Sequence, residues 1–134
     1  PNYKKMCSLV HEDSHVKTMF HSCGSIRNII PYFIEAGCDI LNPIQANSYR
    51  MDPGELKSEY GDQLVFWGAG VDSQTVYPTG TPQEVRSQVQ KRLKELMPGG
   101  GCVLSPIHNT QYDVPVENVN AFVDAVLEFG NYGK

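Results

Sequence analysis

The chain has 134 residues, with 11 Lys+Arg against 15 Asp+Glu for a formal net charge of −4, and is 40% hydrophobic. That length holds one core of modest size, since domains cluster at roughly 100 to 150 residues. The acidic balance lacks the basic face that nucleic acid or an anionic membrane demands, and no stretch nears the ~18 consecutive apolar residues of a membrane span, so the expected substrate is a small molecule.

Pro1 opens on a segment that already reads as helix. Tyr3 to Glu12 sets Met6, Leu9 and Val10 on one side at helical spacing. Val16 to Phe20 predicts a short strand that runs into His21-Ser22-Cys23-Gly24-Ser25. Ser25 is placed to cap a helix whose apolar positions are Ile26, Ile29, Ile30, Phe33 and Ile34, ended by Gly37. Pro31 falls inside it, tolerable only near a first turn or at a kink. Asp39 to Ile44, Leu64 to Gly68 and Cys102 to Ser105 read as three more strands, apolar on both faces as buried parallel strands are. Pro53-Gly54-Glu55, Pro82-Gln83-Glu84 and Pro115-Val116-Glu117 each suggest Pro at a first helical position and Glu at the third, where the carboxylate meets the positive end of the helix dipole. Asp52 and Thr81 supply side-chain caps, Thr81 with Glu84 making a capping box. The helix from Pro82 to Met97 presents Val85, Val89, Leu93 and Leu96, and that from Val116 to Phe129 presents Val119, Phe122, Val123 and Val126.

Alternation of strand and helix four times over predicts an α/β fold with a parallel sheet, whose functional groups gather where strands run out into the following loops. Those exits are His21 to Ser25, Gln45 to Met51, Ala69 to Thr79 and Pro106 to Asp113. Pro98-Gly99-Gly100-Gly101 is a tight turn rather than a linker.

The 4 Cys, Cys7, Cys23, Cys38 and Cys102, are scattered without a signal-peptide pattern, which argues for a reducing, cytoplasmic setting and against a disulfide framework. His21 and Cys23 stand two residues apart at a strand end, so an imidazole and a thiolate can reach one ion at the ~2.0 to 2.3 Å of Zn–N and Zn–S bonds. A third ligand has to come from elsewhere, and His108 or Cys102 can supply it. Six residues at ~3.3 Å put those two up to about 20 Å apart. His108 lies on the same rim as His21 and Cys23, and Cys102 on the opposite one, which favours His108. Without a metal, His21 and His108 become neutral hydrogen-bonding groups around an organic substrate and Cys23 a small hydrophobe.

His11-Glu12-Asp13-Ser14-His15 matches the H-E-x-x-H pattern of zinc-protease helices, but a helix stopping by Ser14 leaves no turn for the second His. Asn42 and Gln45, after the second strand, are candidate cofactor- or substrate-binding groups. Asp72, Gln74 and Tyr77 follow the third. Asp72 is a candidate catalytic base, metal ligand or partner to a ligating His, or else an Asp turn. Trp67 and Phe66 read as core, Cys7 and Cys38 as structural.

His21-Ser22-Cys23-Gly24, then Glu35-Ala36-Gly37-Cys38-Asp39-Ile40-Leu41-Asn42, Phe66-Trp67-Gly68 with Val71-Asp72, Gly99-Gly100-Gly101 and Pro115-Val116-Glu117-Asn118-Val119 resemble the C-terminal half of the uroporphyrinogen decarboxylase superfamily, from about residue 3 to 130. The resemblance implies a TIM barrel and either of two chemistries. Cofactor-independent decarboxylases use a histidine in the last strand-end loop against the tetrapyrrole, matched here by His108, though without flanking glycines. Zinc-dependent methyltransferases bind zinc through His-x-Cys plus a late Cys and activate a thiol to attack a methyl group on a corrinoid. His21 and Cys23 match that motif, while the late Cys aligns near His108, leaving either a His in its place or a displaced ligand in Cys102.

The His-x-Cys pair favours a zinc-dependent methyltransferase with His21, Cys23 and His108 around the ion, a corrinoid as methyl donor and a corrinoid protein as possible partner. The alternatives are a metal-free decarboxylase using His108, and a non-catalytic corrinoid or tetrapyrrole binder. A closed barrel takes roughly 250 residues. Residues 1–134 are therefore expected to form one half-barrel unit, a fragment that pairs with the N-terminal half of the same barrel or with a second copy.

Overall fold

The computed structural model describes residues 2–12 and 14–132. Helix α1 (Asn2–Glu12) leads into β1 (Met19–His21), a 3-10 turn (Arg27–Ile29) and α2 (Ile30–Glu35). Then come β2 (Ile40–Ile44), α3 (Pro53–Tyr60), β3 (Val65–Ala69), a one-turn α4 (Val76–Thr79), α5 (Pro82–Leu96), β4 (Cys102–Ser105) and α6 (Val116–Phe129). The strands form one parallel sheet in the order β1-β2-β3-β4. A doubly wound sheet reverses its strand order at a switch point, whereas in a barrel each strand lies beside its predecessor. The sequential order is that of half a TIM barrel.

Side-chain alternation gives the sheet two different faces. Phe20, Leu41, Phe66 and Leu104 point to the helices and join a core with Ile30, Ile44, Met51, Leu56 and Leu96. A second core of Val71, Tyr77, Val85, Val89, Phe122 and Ala125 lies under α5 and α6. The opposite face, the barrel lumen, carries Met19 and Val103, which are 50% and 39% exposed. Tyr3, Met6 and Leu9 on α1 and Val123 and Leu127 on α6 are also exposed, at the two edges of the arc. In a closed barrel the neighbouring strand-helix units cover these three surfaces.

The capping signals form as the spacing predicts. Asp52 accepts the Glu55 N–H at 3.0 Å, and Thr81 and Glu84 make a complete capping box. Gly37 follows α2 with φ +92°, a conformation that suits glycine. Other expectations shift. The strand predicted from Val16 begins only at Met19, because the Thr18 N–H is taken by the Asp39 carboxylate at 2.7 Å instead of a ladder partner. Ser25 caps nothing; its hydroxyl donates to the Tyr49 carbonyl at 2.6 Å, and the chain enters α2 through the 3-10 turn. Pro31 then falls in the first turn of α2, where its missing N–H costs nothing.

Pro115 is the N-cap of α6 rather than its first helical residue, so Glu117 stands one position earlier than expected. The buried face of that helix is Asn118, Phe122 and Ala125, and Val123 turns outward. Asn118 fixes this rotation: its side-chain amide donates to the carbonyls of Tyr77 and Gly80, each at 2.8 Å.

Candidate functional site

β1 ends at His21 in register with Asn42 on β2, and both side chains face the lumen. Asn42 Oδ1 lies 2.7 Å from His21 Nδ1. An amide oxygen only accepts, so Nδ1 donates in this contact, and a ring without a second proton presents its lone pair at Nε2. That nitrogen is 3.5 Å from Cys23 Sγ. Past Cys23, Gln45 Oε1 accepts the Gly24 N–H at 2.7 Å, and the Asn42 carbonyl accepts the Ser22 N–H at 2.8 Å. The two amides expected to meet a ligand therefore direct their oxygens to the His21-to-Gly24 segment.

Asp72 resolves into the Asp turn. Its Oδ1 accepts the N–H groups of Gln74 at 2.8 Å and Thr75 at 3.3 Å and the amide of Asn47 at 3.1 Å, and its Oδ2 accepts the Thr75 hydroxyl at 2.7 Å. Both oxygens are engaged in shaping the β3 exit. The Gln88 side chain accepts the Asp72 N–H at 2.9 Å and ties that exit to α5. Ser73 in turn accepts the His108 N–H at 3.1 Å, holding the fourth exit against the third.

Two cavities open on this rim. Cys23, Gln45, Asn47, Asp72 and His108 line one of about 330 Å³. His21, Asn42, Trp67, Ser105 and His108 line the other, of about 380 Å³. Trp67, expected in the core, is thus a lumen-facing wall, while Tyr77 is buried beneath the rim rather than standing at it. Among the described residues, neither cavity is lined by Lys or Arg.

A tetrahedral ion with bonds of ~2.0 Å to nitrogen and ~2.3 Å to sulfur holds those atoms about 3.5 Å apart. The His21–Cys23 pair has that spacing. The three-ligand set does not assemble: among the described residues, no three His, Cys, Asp or Glu side chains are gathered closely enough for a metal ion. His108 shares a cavity with each member of the pair but is anchored through its backbone, and its ring is exposed. Cys102 pairs in register with Phe66, packs against the helix-side core and lies at the other end of the sheet. Burial pushes its thiol up, opposed by nearby Lys57. Cys7 and Cys38 are buried, as structural cysteines are.

Among the described residues, the H-E-x-x-H segment holds no metal geometry either. α1 ends at Glu12, and His11 Nε2 is 2.8 Å from Asp39 Oδ2; Asp13 lies outside the described residues. Sequence reasoning missed Asn47 and Ser73, whose only signal was polar character in the exit stretches, and Gln88, which lies in mid-α5 and gave no signal.

The sequence profile described as uroporphyrinogen decarboxylase (URO-D) matches residues 1–129. The chain belongs to that family. It is similar to the uroporphyrinogen decarboxylase of Psychromonas ingrahamii, 33% identical over 94 residues, which is 70% of this chain and 25% of the relative. The uroporphyrinogen decarboxylase of Actinobacillus succinogenes is 28% identical over 129 residues, 94% of this chain and 34% of the relative. The methylated-thiol--coenzyme M methyltransferase of Methanosarcina mazei is 26% identical over 111 residues, 82% of this chain and 27% of the relative. The chain thus spans 25% to 34% of the length of these curated relatives. Among the described residues, no helix is long and apolar enough to cross a membrane.

Proposed function

We propose that this chain carries the reaction-centre rim of a URO-D family enzyme that transfers a methyl group to a thiol, with His21 and Cys23 as two donors of a zinc site. The observation that carries this reading is the pair itself: an imidazole fixed with its lone pair at Nε2, and a thiol 3.5 Å away. Zinc bound there would keep a thiol deprotonated at neutral pH, and the thiolate is the nucleophile that accepts a methyl group, here from a corrinoid. Within the chain, Asn42 orients the imidazole, Gln45 holds the turn after Cys23, and His108 and Trp67 wall the adjoining cavity. Further donors would come from the strands that close the barrel, supplied by the same polypeptide or a second copy. The name of the Methanosarcina mazei relative supports the thiol as acceptor.

A second reading, decarboxylation of a tetrapyrrole carboxylate with His108 against the macrocycle, is favoured by the names of the Psychromonas and Actinobacillus relatives. A polyanionic substrate calls for cationic side chains, and among the described residues neither cavity is lined by Lys or Arg. Elemental analysis separates the readings. The purified protein is expected to hold about one zinc per site, lost in the His21→Ala, Cys23→Ala double variant. A metal-free wild type whose decarboxylation withstands chelators and vanishes on His108→Ala would overturn methyl transfer in favour of the second reading.

A further inference from the structure

We infer that Asn42 and Gln45 are positioning residues: Asn42 selects the tautomer of His21, Gln45 fixes the turn that presents Cys23, and the pair is thereby set before anything binds. The inference rests on the reading of His21 and Cys23 as the reaction centre. Its physical content, the state of the His21 ring, can be tested without that reading.

A neutral imidazole in water exchanges between two tautomers, and only the one protonated at Nδ1 offers Nε2 to a ligand on the Cys23 side. Asn42 removes that choice. Its oxygen sits 2.7 Å from Nδ1, on a strand residue in register with His21, so it is held by the sheet rather than by a loop. Three acceptors of β2 and its exit, Asn42 Oδ1, the Asn42 carbonyl and Gln45 Oε1, take groups of the motif on either side of Cys23, at His21, Ser22 and Gly24. Cys23 is the residue left free, its thiol exposed and directed toward Nε2. Gly24 has φ +89°, and an alanine Cβ there would meet nothing within 4 Å, so glycine answers to the backbone turn and not to crowding. The Gln45 bond falls on the N–H of that turn.

The two amides do separable work. Replacing Asn42 changes the ring, whereas replacing Gln45 changes the thiol's approach and leaves the ring alone. Oxygens that orient ligating histidines are worth about 10- to 100-fold in metal affinity elsewhere.

The experiment is nitrogen-15 NMR of the histidine side chains in the purified, metal-free protein at alkaline pH, with His21→Ala assigning the signals. Zinc affinity is measured in parallel by competition with a chromophoric chelator. Wild-type His21 is expected to be protonated at Nδ1. Asn42→Leu should give a mixture of tautomers and weaken zinc about 10- to 100-fold, while Asn42→Asp, which keeps an acceptor, should restore both. Gln45→Leu should leave the tautomer unchanged and still weaken zinc. A wild-type ring protonated at Nε2 overturns the inference even if Asn42→Leu fails to fold, as does an unchanged tautomer in that variant. Should no form bind zinc while Asn42→Leu mixes the tautomers, the metal reading falls and the role of Asn42 stands. Should zinc bind all forms equally with unaltered rings, the metal reading stands and this inference falls.

Discussion

At the N-terminal rim of the sheet Asp39 is enclosed by partners: the Thr18 N–H at 2.7 Å, the Thr18 hydroxyl at 3.0 Å, His11 at 2.8 Å and Lys17 at 3.2 Å. At the C-terminal rim His21, Cys23 and His108 are exposed and line open cavities. Both rims use side chains to bind one strand end to the next. At the lower rim the ionisable group is itself the knot, joining α1, the approach to β1 and the start of β2. At the upper rim the knots are amides and a saturated Asp72, and the groups capable of chemistry are held at one end and free at the other. The barrel architecture makes the same division, with stability at the strand starts and function at their exits.

The sharpest way to break the comparison is Asp39→Ala, which leaves the Thr18 N–H without its acceptor, takes away the partner of His11 and Lys17, and frees α1, while the Thr18 hydroxyl keeps the Gly37 carbonyl at 2.7 Å. The expected loss is about 3 kcal/mol in urea denaturation, and a loss near zero would deny the lower rim its structural role. The same residue has a pH signature. Burial alone would raise the Asp39 carboxyl, but the Thr18, His11 and Lys17 bonds outweigh it and bring it to about 2 from an ordinary 3.8. The unfolded chain therefore takes up the proton first as pH falls. The contribution, about 2 kcal/mol, is complete above the ordinary value, declines between 3.8 and about 2, and is gone below. Asp39→Asn should flatten that part of the stability profile, and an unchanged acid limb would reassign it to other carboxyls.

The fold was legible because its signals are local and periodic. Thr81 and Glu84 announced α5 in full, and Gly37 marked the end of α2. Legibility failed where a distant group outbid a local one. Asp39 captured the N–H of Thr18 and delayed β1, and Asn118, bonded to Tyr77 and Gly80 far away in the chain, turned α6 so that Val123 faced outward. At the site, the residue types and the rim were readable from strand exits, including the separation of Cys102 from His21 and Cys23. The direction of each amide was not, since Asn42 and Gln45 can face a ligand or a loop with equal chemistry. Nor was the distance between His108 and the pair, which depends on a Ser73 contact across 35 residues of sequence.

Two glycines sharpen the contrast at a smaller scale, since Gly37 and Gly24 have nearly the same positive φ, +92° and +89°. A methyl group at Gly37 would stand 2.9 Å from Cys7 Cβ, whereas at Gly24 it would meet nothing within 4 Å. Gly37→Ala adds a collision with α1 to the backbone cost and should lose about 2 kcal/mol or more, Gly24→Ala about 1 kcal/mol from the backbone alone. Equal losses in thermal melting would mean that α1 yields, and that the lower rim is less rigidly packed than Asp39 implies.

The smallest effect on stability is expected at the exposed histidine of the upper rim's fourth exit, His108. His108→Ala removes a ring that no intramolecular hydrogen bond engages among the described residues, and it keeps the backbone N–H that Ser73 accepts at 3.1 Å. Unfolding free energy should change by no more than about 0.5 kcal/mol. If His108 meets the substrate, turnover should fall while the melting curve stays in place. A melting loss above about 1 kcal/mol would show that the ring supports the fourth exit, making His108 a structural residue on a rim otherwise built to leave its reactive groups free.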